Sequence, residues 1–483
     1  MKKLPLKIEV ETRTVLRKTA QAHKALAELK GAISSIPNEN ILIETLVLRE
    51  ARESSAVENI ISTFDEVYQS NFEIQQFASP AAKEVHLYAK ALKTGFNLVS
   101  KNNLLTVNNI IQIQKVVEQN SAGFRKLPGT KLLNDKTGEV IYIPPQKYET
   151  IVELMSNLEK FINDDEMMDV DALIKMAIIH HQFESIHPFY DGNGRTGRII
   201  NILFLIQKKL LNLPVLYLSR FIIQNRNEYY RLLQQVRETG EWENWILYML
   251  NGIEQTANET IILINNIRVL MQQYKQQIRA KLPKLYSQDI LNNFFKYPYT
   301  KIEYLQADLN ISRNTAIRYL DAVVKTGLLV KEKKGRDNFY INQPLFELLS
   351  GKEKMHKESL PGKAESNSLQ KEKLIKEICK AIKQKQVIQF YYKDTTKAKE
   401  GIRIVEPYIL GIKNKGKGNL YLAALPLTGE FKIKGPVKKQ LGHYLLSEIK
   451  QLEILHQKFT SIKVNDDVVY KTPTIEVICR VSF

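Results

Sequence analysis

The sequence predicts a multidomain protein: an all-α N-terminal domain interrupted by one β-hairpin, a winged helix-turn-helix, and a mainly β C-terminal domain. Three observations carry this prediction. Apolar residues recur every three or four positions from residue 10 to about 270, and short apolar runs separated by turn residues follow residue 374. Between these regions, residues 351–373 are rich in Lys, Glu and Ser and lack an apolar stripe. We therefore place domains at 1–275, 282–348 and 374–483, with a linker at 351–373.

The N-terminal domain carries its helical signal in segments such as AHKALAELKGAI and IINILFLIQKKLL. One stretch departs from it. Residues 129–145, GTKLLNDKTGEVIYIPP, predict a strand, a turn over Lys136-Thr137-Gly138, and a second strand that ends at Pro144-Pro145. A short hairpin is therefore expected among the helices.

Residues 286–346 predict a helix, a turn at Asn310-Ile311-Ser312, a second helix capped by Ser312, and two strands joined by EKKGRDN. This order is typical of a winged helix. DNA is the expected partner, and a protein-interaction or dimerisation role is the alternative. The residues expected to face DNA are Arg313, Asn314 and Arg318 on the second helix and Lys331, Lys333, Lys334 and Arg336 on the wing.

The C-terminal domain is predicted from the runs VIQFYY, GIRIVEPYILGI, NLYLAAL and EFKIK, with helices at 374–384 and about 440–452. Of the net charge of +18, residues 351–483 contribute +12, from 26 Lys and Arg against 14 Asp and Glu. Such a surplus favours nucleic acid or another polyanion.

No apolar run approaches the roughly 20 residues that span a bilayer, and the N-terminus lacks the apolar core of a signal peptide. We therefore expect a cytoplasmic protein without a membrane partner. Two cysteines, Cys379 and Cys479, exclude a cysteine-based zinc site, and we expect them to be buried thiols.

The chemistry is concentrated in IHPFYDGNGRTGR, residues 186–198, which forms a loop between two apolar helices. A helix N-terminus offers free N–H groups, and glycines let phosphate oxygens approach the backbone. Gly192, Asn193 and Gly194 are the expected anion hole, and Arg195 and Arg198 supply guanidinium groups for phosphate.

Two further side chains of this loop indicate a reaction. Asp191 places a carboxylate in an anion site, which makes electrostatic sense if Mg²⁺ lies between it and the phosphates. His187 is placed to take a proton from an incoming hydroxyl, while Phe189 anchors the loop in the core. Together they predict attack of an alcohol on a nucleotide phosphorus.

The segment resembles the signature of the Fic family, His-x-Phe-x-Asp/Glu-Gly-Asn-Gly-Arg-x-x-Arg, at every defined position. The resemblance implies a protein adenylyltransferase, which transfers AMP from ATP to a Ser, Thr or Tyr hydroxyl of a target protein, itself included. It also implies ATP contacts at Thr196 and Gly197. Relatives that transfer uridylyl, phosphoryl or phosphocholine groups leave the transferred group open.

Other segments fit the same resemblance. The hairpin matches the Fic flap, with Val140, Ile141 and Tyr142 as its target- and nucleotide-contacting edge; an ordinary surface hairpin is the alternative. In NRNEYYRLLQQV, Tyr229 or Tyr230 would help to house the adenine. Because adjacent residues on a helix point about 100° apart, only one of the two is expected to face the base.

ESSAVEN, residues 53–59, resembles the inhibitory motif Ser/Thr-x-x-x-Glu-Gly/Asn of Fic proteins, here Ser54, Glu58 and Asn59. The resemblance implies that Glu58, at the edge of the ATP site, neutralises Arg198 and misplaces the γ-phosphate. The same glutamate would orient water for AMP removal. The alternative is a solvated helix face that carries Glu50, Glu53 and Glu58.

The C-terminal domain is similar to the WYL family, whose Trp-Tyr-Leu strand reads Leu420-Tyr421-Leu422 here. This implies an Sm-like β fold that senses ligands, often nucleic acid, through residues such as Arg403, Tyr421 and Lys432; a plain β scaffold is the alternative. The sequence thus favours an autoinhibited adenylyltransferase, with a homodimer among its compatible assemblies. The alternatives are a DNA-binding regulator whose Fic core senses nucleotide, and an inactive interaction scaffold.

Overall fold

The computed structural model describes residues 2–70, 76–133, 138–334, 337–351, 374–375, 377–394, 399–413, 420–428, 442–459 and 475–480. The chain divides into two compact units, Met1–Met355 and His356–Phe483. Each has its own hydrophobic core. The predicted linker at 351–373 falls, apart from Gly351, outside the described residues.

The first unit is mainly helical, as the three- and four-residue apolar spacing predicts. Its helices up to the hairpin are α1 (Arg13–Ile33), α2 (Glu39–Val57), α3 (Phe64–Gln69), α4 (Pro80–Asn102) and α5 (Val107–Glu118). Its later helices are α6 (Tyr148–Asn163), α7 (Ala172–Ile186), α8 (Asn193–Gln207), α9 (Leu218–Gln224), α10 (Arg226–Thr239), α11 (Glu243–Lys281), α12 (Gln288–Lys296), α13 (Ile302–Leu309), α14 (Arg313–Lys325) and α15 (Gln343–Ser350).

Helices α7 and α8 form the centre of this unit. All residues of α7 after its first are buried, and so are all residues of α8 except Gly194. A helix that is buried around its whole circumference has to be surrounded by other elements. The loop between them therefore starts and ends in rigid core, which fixes its geometry.

The predicted hairpin is present as strands β1 (Leu132–Leu133) and β2 (Val140–Tyr142). The strands are antiparallel, with Leu132 opposite Tyr142 and Leu133 opposite Val140. Gly138 adopts a φ of +71° on the return side of the turn, a conformation that glycine reaches without steric cost. Lys136 and Thr137 lie outside the described residues.

After α11 the first unit contains a second small sheet. Strands β3 (Tyr299–Thr300), β4 (Val330–Lys334) and β5 (Asp337–Ile341) pair in the order β3-β5-β4. Asn310 ends α13 in the left-handed region, and the Ser312 hydroxyl accepts a hydrogen bond from the Thr315 N–H at the start of α14. Asparagine tolerates that conformation and serine is a favoured N-cap, so this turn follows from local chemistry.

The second unit is built on one antiparallel sheet of strands β6 (Gln386–Asp394), β7 (Lys399–Lys413), β8 (Leu420–Thr428), β9 (Gly442–Leu445), β10 (Ile449–Lys458) and β11 (Ile475–Arg480). The order is β10-β6-β7-β8-β9, and β11 also pairs with β7. Residues 377–383 are helical, as predicted. The helix predicted at about 440–452 is wrong: β9, a 3₁₀ turn and β10 occupy that stretch. Pairing of these residues with β8 and β6 outweighs their helical spacing. The run EFKIK lies outside the described residues.

The two cysteines correct a second expectation. Cys379 and Cys479 form a disulfide across a sequence separation of 100 residues, where buried thiols were predicted. Spacing in the sequence could not reveal the pair, because the helix at 377–383 and β11 meet only in the folded unit. Within the described ranges, no helix combines the length and apolar character that a bilayer crossing requires.

Candidate active site

His187 directly follows α7 and has left-handed backbone angles, φ 49° and ψ 59°. A non-glycine residue in this region is strained by roughly 1–2 kcal/mol, so surrounding contacts have to hold it there. Arg125 supplies them. Its Nε donates to the His187 carbonyl at 2.8 Å, and its backbone N–H donates to the Pro188 carbonyl at 2.9 Å. Phe189 is fully buried and anchors the loop, as predicted.

The imidazole of His187 is kept neutral by its surroundings. Burial lowers the pKa of His187 to about 4, the charges of Arg125 and Arg237 act in the same direction, and Glu58 opposes them. A neutral imidazole at pH 7 can accept a proton. This is the protonation state that the predicted base requires.

The predicted anion hole lies at the N-terminus of α8. Gly192 is its N-cap with a φ of 78°, and α8 begins at Asn193. The Asn193 side chain is turned inward, where it accepts from the Phe189 N–H and donates to the Phe189 carbonyl, both at 2.9 Å. Asn193 therefore shapes the loop, and its side chain is not directed at a ligand. The free N–H groups and positive end of α8 remain as the anion-binding feature.

A carboxylate from α2 occupies this anion-binding feature. Glu58 Oε1 accepts a hydrogen bond from Arg198 Nη2 at 2.8 Å, and a Cβ added to Gly194 would lie 2.1 Å from the same oxygen. Only a glycine at position 194 permits that approach. Burial would raise the pKa of Glu58, but the charge and hydrogen bond of Arg198 lower it overall. The carboxylate is thus ionised and lies where the positive groups converge.

Arg198 is hydrogen-bonded to two residues at the C-terminal end of α2, Ser54 and Glu58. Its Nε donates to Ser54 Oγ at 2.8 Å and its Nη2 to the Ser54 carbonyl at 3.0 Å, in addition to Glu58. Its side chain is 2% exposed and that of Glu58 35%. Asn59, the third residue of the predicted inhibitory motif, accepts from Arg226 Nη1 at 2.7 Å. The structure therefore brings Glu58 to Arg198, as the resemblance implied, and adds contacts of Arg198 with Ser54 that were not predicted.

Arg195 has partners that the sequence did not reveal. Its Nη1 lies 2.6 Å from Glu84 and its Nη2 2.5 Å from Glu118. Burial raises the pKa of Glu118, Arg195 opposes this, and Asp191 adds to it. Neither acid belongs to a motif, and their approach depends on how α4 and α5 pack on α8. Arg195 is a buried bridge between helices in this state, and its predicted phosphate contact remains a prediction.

Asp191 is exposed at the mouth of the loop, where its carboxylate accepts from the Gly192 N–H at 2.7 Å. Among the described residues, no group of three or more His, Cys, Asp and Glu side chains forms a ready-made metal site. Mg²⁺ commonly binds through one carboxylate together with nucleotide phosphates, so it does not need such a cluster. One exposed carboxylate beside an anion site fits that mode of binding.

The flap edge is exposed at Val140 and Ile141, with 48% and 43% of their surfaces accessible. Tyr142, predicted to share that edge, turns inward: its hydroxyl donates to the Ser185 carbonyl at 3.0 Å. The guanidinium of Arg237 lies 4.1 Å from the centre of the Tyr142 ring. Sequence reasoning did not identify Arg237, because no motif contains it.

The two candidate adenine-side tyrosines separate as helix geometry predicts. Tyr229 is buried, and its hydroxyl lies 2.8 Å from His180 Nε2. Tyr230 is 44% exposed, with Arg226 over its ring. Tyr230 is thus the one available to a ligand. Thr196 and Gly197 are buried; a Cβ at Gly197 would lie 2.6 Å from Glu184, whose pKa burial raises to about 7.

Three of the predicted nucleic-acid residues in the first unit have acidic neighbours. Arg313 pairs with Glu303 at 2.5 Å, Lys331 with Asp321 at 2.8 Å and Lys334 with Glu332 at 3.5 Å. Lys333 and Asn314 are exposed, and Arg318 lies over Tyr319. In the second unit, Arg403 is on β7 opposite Phe390, and Tyr421 is on β8 opposite Leu445. Arg336 and Lys432 lie outside the described residues.

Comparison with known families agrees with the order of the regions. Residues 16–97 match the Fic/DOC family N-terminal model and residues 104–205 the Fic/DOC family model. Residues 270–345 match the C-terminal domain of SoFic-like protein adenylyltransferases, and residues 373–454 match the WYL domain. The predicted resemblances to the Fic and WYL families are confirmed.

Similar proteins carry the name adenylyltransferase. Over 117 residues the chain is 28% identical to protein adenylyltransferase fic-1 of Caenorhabditis briggsae, covering 24% of this chain and 22% of that one. Over 159 residues it is 30% identical to a probable protein adenylyltransferase of Aquifex aeolicus, covering 32% and 43%. The chain thus spans less than half the length of these relatives. A crystal structure of a Fic family protein from Desulfovibrio desulfuricans matches with a TM-score of 0.46 and 17% identity, covering 70% of this chain and 97% of that one.

Proposed function

We propose that this chain, which contains the N-terminal and central domains of the Fic/DOC family followed by a SoFic-like C-terminal domain and a WYL domain, transfers AMP from ATP to a protein hydroxyl. The observation that carries the proposal is the pairing of a neutral His187 with an anion site at the start of α8. An inactive scaffold would not need a strained, neutral histidine beside converging positive groups.

The proposed reaction is an in-line displacement at the α-phosphorus of ATP. His187 accepts the proton of a Ser, Thr or Tyr hydroxyl while that oxygen attacks phosphorus. The bond from the α-phosphorus to the bridging oxygen breaks, pyrophosphate leaves, and AMP remains on the protein. The N-terminal N–H groups of α8 stabilise the phosphate charge that moves during this step. The proton stays on His187 Nε2 or Nδ1 until solvent removes it.

Mg²⁺, when bound with ATP, would neutralise phosphate charge and orient the pyrophosphate leaving group. Asp191 is the residue that would hold it. Tyr230 would pack against the adenine, since Tyr229 is engaged in the core. Val140 and Ile141 would receive the target, because an exposed apolar strand edge can pair with an extended peptide.

The proposed regulation is autoinhibition by α2. The Glu58 carboxylate lies in the positive site and accepts a hydrogen bond from Arg198. A triphosphate that enters the same site would therefore lack the contact between its γ-phosphate and Arg198. The negative charge of the Glu58 carboxylate would also repel the phosphates of the nucleotide. The same carboxylate would be able to orient water on an AMP-modified side chain, which supports AMP removal as a second activity.

A second candidate function is DNA-linked regulation, which the net charge of +12 in residues 351–483 favours. The helix-turn-helix of α13 and α14 with strands β4 and β5 would be a winged helix, and the WYL domain would bind nucleic acid through Arg403. The acidic partners of Arg313, Lys331 and Lys334 reduce the positive potential of the wing, which favours the protein-interaction alternative for that module.

A homodimer and a cytoplasmic location complete the proposal, although the disulfide opposes that location because disulfides are rare in the cytosol.

The experiment is incubation of the wild-type chain and Glu58→Gln with Mg²⁺ and, separately, α-labelled ATP, CTP, GTP and UTP. Mass spectrometry then locates the label. The proposal expects label from ATP on hydroxyl side chains of the chain, with more in the variant and none in Glu58→Gln combined with His187→Ala. Equal labelling with and without His187 would overturn it.

A further inference from the structure

Arg237 lies near the end of α10 and contacts two other parts of the active site. Its Nε donates to Ser185 Oγ at 3.0 Å, and its Nη2 donates to the Glu184 carbonyl at 3.4 Å. Its guanidinium lies over the Tyr142 ring at 4.1 Å. It therefore joins the flap strand β2 to the end of α7, two residues before His187.

Ser185 is the shared anchor of these contacts. Its hydroxyl accepts from Arg237, and its carbonyl accepts from the Tyr142 hydroxyl at 3.0 Å. Tyr142 is thus fixed at both its ring and its hydroxyl. A movement of Tyr142 with the flap strand would break its hydrogen bond to the Ser185 carbonyl and its cation–π contact with Arg237 together.

A second buried arginine, Arg125, also links the flap to the region around His187. Arg125 is fully buried, and its Nε donates to the His187 carbonyl at 2.8 Å. Its Nη2 donates to the carbonyl of Pro145, where the chain leaves the flap. Tyr142 of the flap is therefore hydrogen-bonded to the end of α7, and Pro145 is linked through Arg125 to the backbone of His187.

We propose that Arg237, together with Arg125, is a positioning residue that fixes the flap relative to His187, so that a hydroxyl carried by a flap-bound strand arrives at the imidazole. This inference rests on the proposed transfer reaction. Neither arginine needs to touch ATP or the target for this role. Misplacement of reacting groups by about 1 Å can reduce a rate on the order of a hundredfold.

The site requires a guanidinium in particular. A planar guanidinium stacks on an aromatic ring while its edge donates hydrogen bonds in fixed directions, whereas an ammonium group is a compact point charge. Arg237 uses its face on Tyr142 and its edge on Ser185 and Glu184. A lysine at this position would keep the charge and lose the combination of contacts.

The two arginines also influence the protonation of His187. Burial lowers the pKa of His187, followed by the charges of Arg125 and Arg237, while the Glu58 carboxylate and the Glu184 carbonyl act in the opposite direction. Removing the charge of Arg237 raises the pKa of His187. Because the base acts when neutral, the acidic limb of the rate profile then moves to higher pH.

The test compares Arg237→Met and Arg237→Lys in the active Glu58→Gln chain. Arg231→Met is the matched control, since Arg231 is an exposed arginine of the same helix whose guanidinium pairs with Glu228. Self-modification is measured with α-labelled ATP, and amide hydrogen exchange is measured over residues 138–146. We expect Arg237→Met to reduce transfer about a hundredfold, to leave ATP affinity within about twofold, and to accelerate flap exchange.

Arg237→Lys separates position from charge. We expect it to accelerate flap exchange and slow transfer as the methionine variant does, while its acidic limb stays at the pH found with Arg237. If flap exchange and transfer in both variants match those of Arg231→Met, the inference is wrong. If Arg237→Met does not fold, the lysine variant decides by the same comparison. The exchange measurement needs no transfer, so an absence of labelling by every nucleotide would overturn the proposed function without affecting this result.

Discussion

Burial and two arginine charges act together on His187, and this combination decides what the residue can do. The pKa of His187 is lowered to about 4, so the imidazole is neutral at physiological pH and retains its capacity to accept a proton. The same surroundings make it a weak base before ATP binds. The approach of a negatively charged nucleotide would favour the imidazolium and strengthen the base when it is needed.

His187→Ala tests the residue that carries the chemistry. In the Glu58→Gln chain we expect this substitution to abolish AMP transfer and to change ATP affinity little, because the imidazole acts on the attacking hydroxyl. Calorimetric titration with ATP and labelling with α-labelled ATP measure the two properties. With His187 present, kcat/KM for ATP, which reports the pKa of the base in the free enzyme, should persist from pH 7 down to about pH 5 and fall toward the lowered pKa of the histidine. A loss of kcat/KM near pH 6.5 would contradict the lowered pKa of His187, and a kcat/KM independent of pH down to pH 3 would contradict its assignment as the base.

Sequence reasoning identified the residues of the site that belong to a contiguous motif and missed those that do not. The structure brings Glu58 to Arg198, a pairing that the resemblance to Fic proteins implied and that spacing within either motif could not supply. Arg125 and Arg237 were missed. Their roles depend on which carbonyls and rings lie beside them, and only tertiary packing determines that.

The turn between α13 and α14 follows local chemistry, whereas β9 and β10 follow tertiary pairing. The turn between α13 and α14 was predicted from Asn310 and Ser312, and the structure uses both for the expected reasons. A helix was predicted at about 440–452, but β9 and β10 in this stretch pair with β8 and β6. Pairing partners that lie tens of residues away cannot be deduced from spacing alone.

The disulfide between the helix at 377–383 and β11 provides a prediction at this level. Cys379→Ser should destabilise the second unit by about 2–4 kcal/mol, because the crosslink restricts a long loop in the unfolded chain. Denaturant unfolding followed by tyrosine fluorescence measures the change. Cys479→Ser should have the same effect, and the double substitution should add nothing further. Identical unfolding of oxidised and reduced wild-type protein would contradict the crosslink.

The molecule as a whole combines a nearly balanced first part with a strongly basic tail. Residues 351–483 carry +12 of the total +18. The predicted domain order rests on changes of composition and periodicity along the chain, and family models match residues 16–97, 104–205, 270–345 and 373–454 in succession. The disulfide and the acidic partners on α13 and α14 were not predictable, since both require three-dimensional proximity.

Deletion of residues 351–483 tests the polyanion role of the tail. We expect the truncated chain to bind nucleic acid more weakly and with a shallower dependence of log K on log salt, because fewer counterions are released. Fluorescence anisotropy with labelled single- and double-stranded DNA over a salt series measures the slope. Circular dichroism of the truncated chain verifies that its helices are retained. An unchanged slope would assign the binding surface to residues before 351.

Breaking the contact between Glu58 and Arg198 is the most direct test of the proposal that this chain is an autoinhibited adenylyltransferase. The measurement is the initial rate of AMP incorporation from α-labelled ATP with Mg²⁺ in four chains: wild type, Glu58→Gln, Arg198→Ala and the double variant. Glu58→Gln removes the carboxylate charge and keeps a side chain of nearly the same size at the C-cap of α2. We predict an increase on the order of a hundredfold for Glu58→Gln, which Arg198→Ala erases, because the released guanidinium positions the γ-phosphate. Equal incorporation by wild type and Glu58→Gln, or a gain that survives Arg198→Ala, would contradict this account.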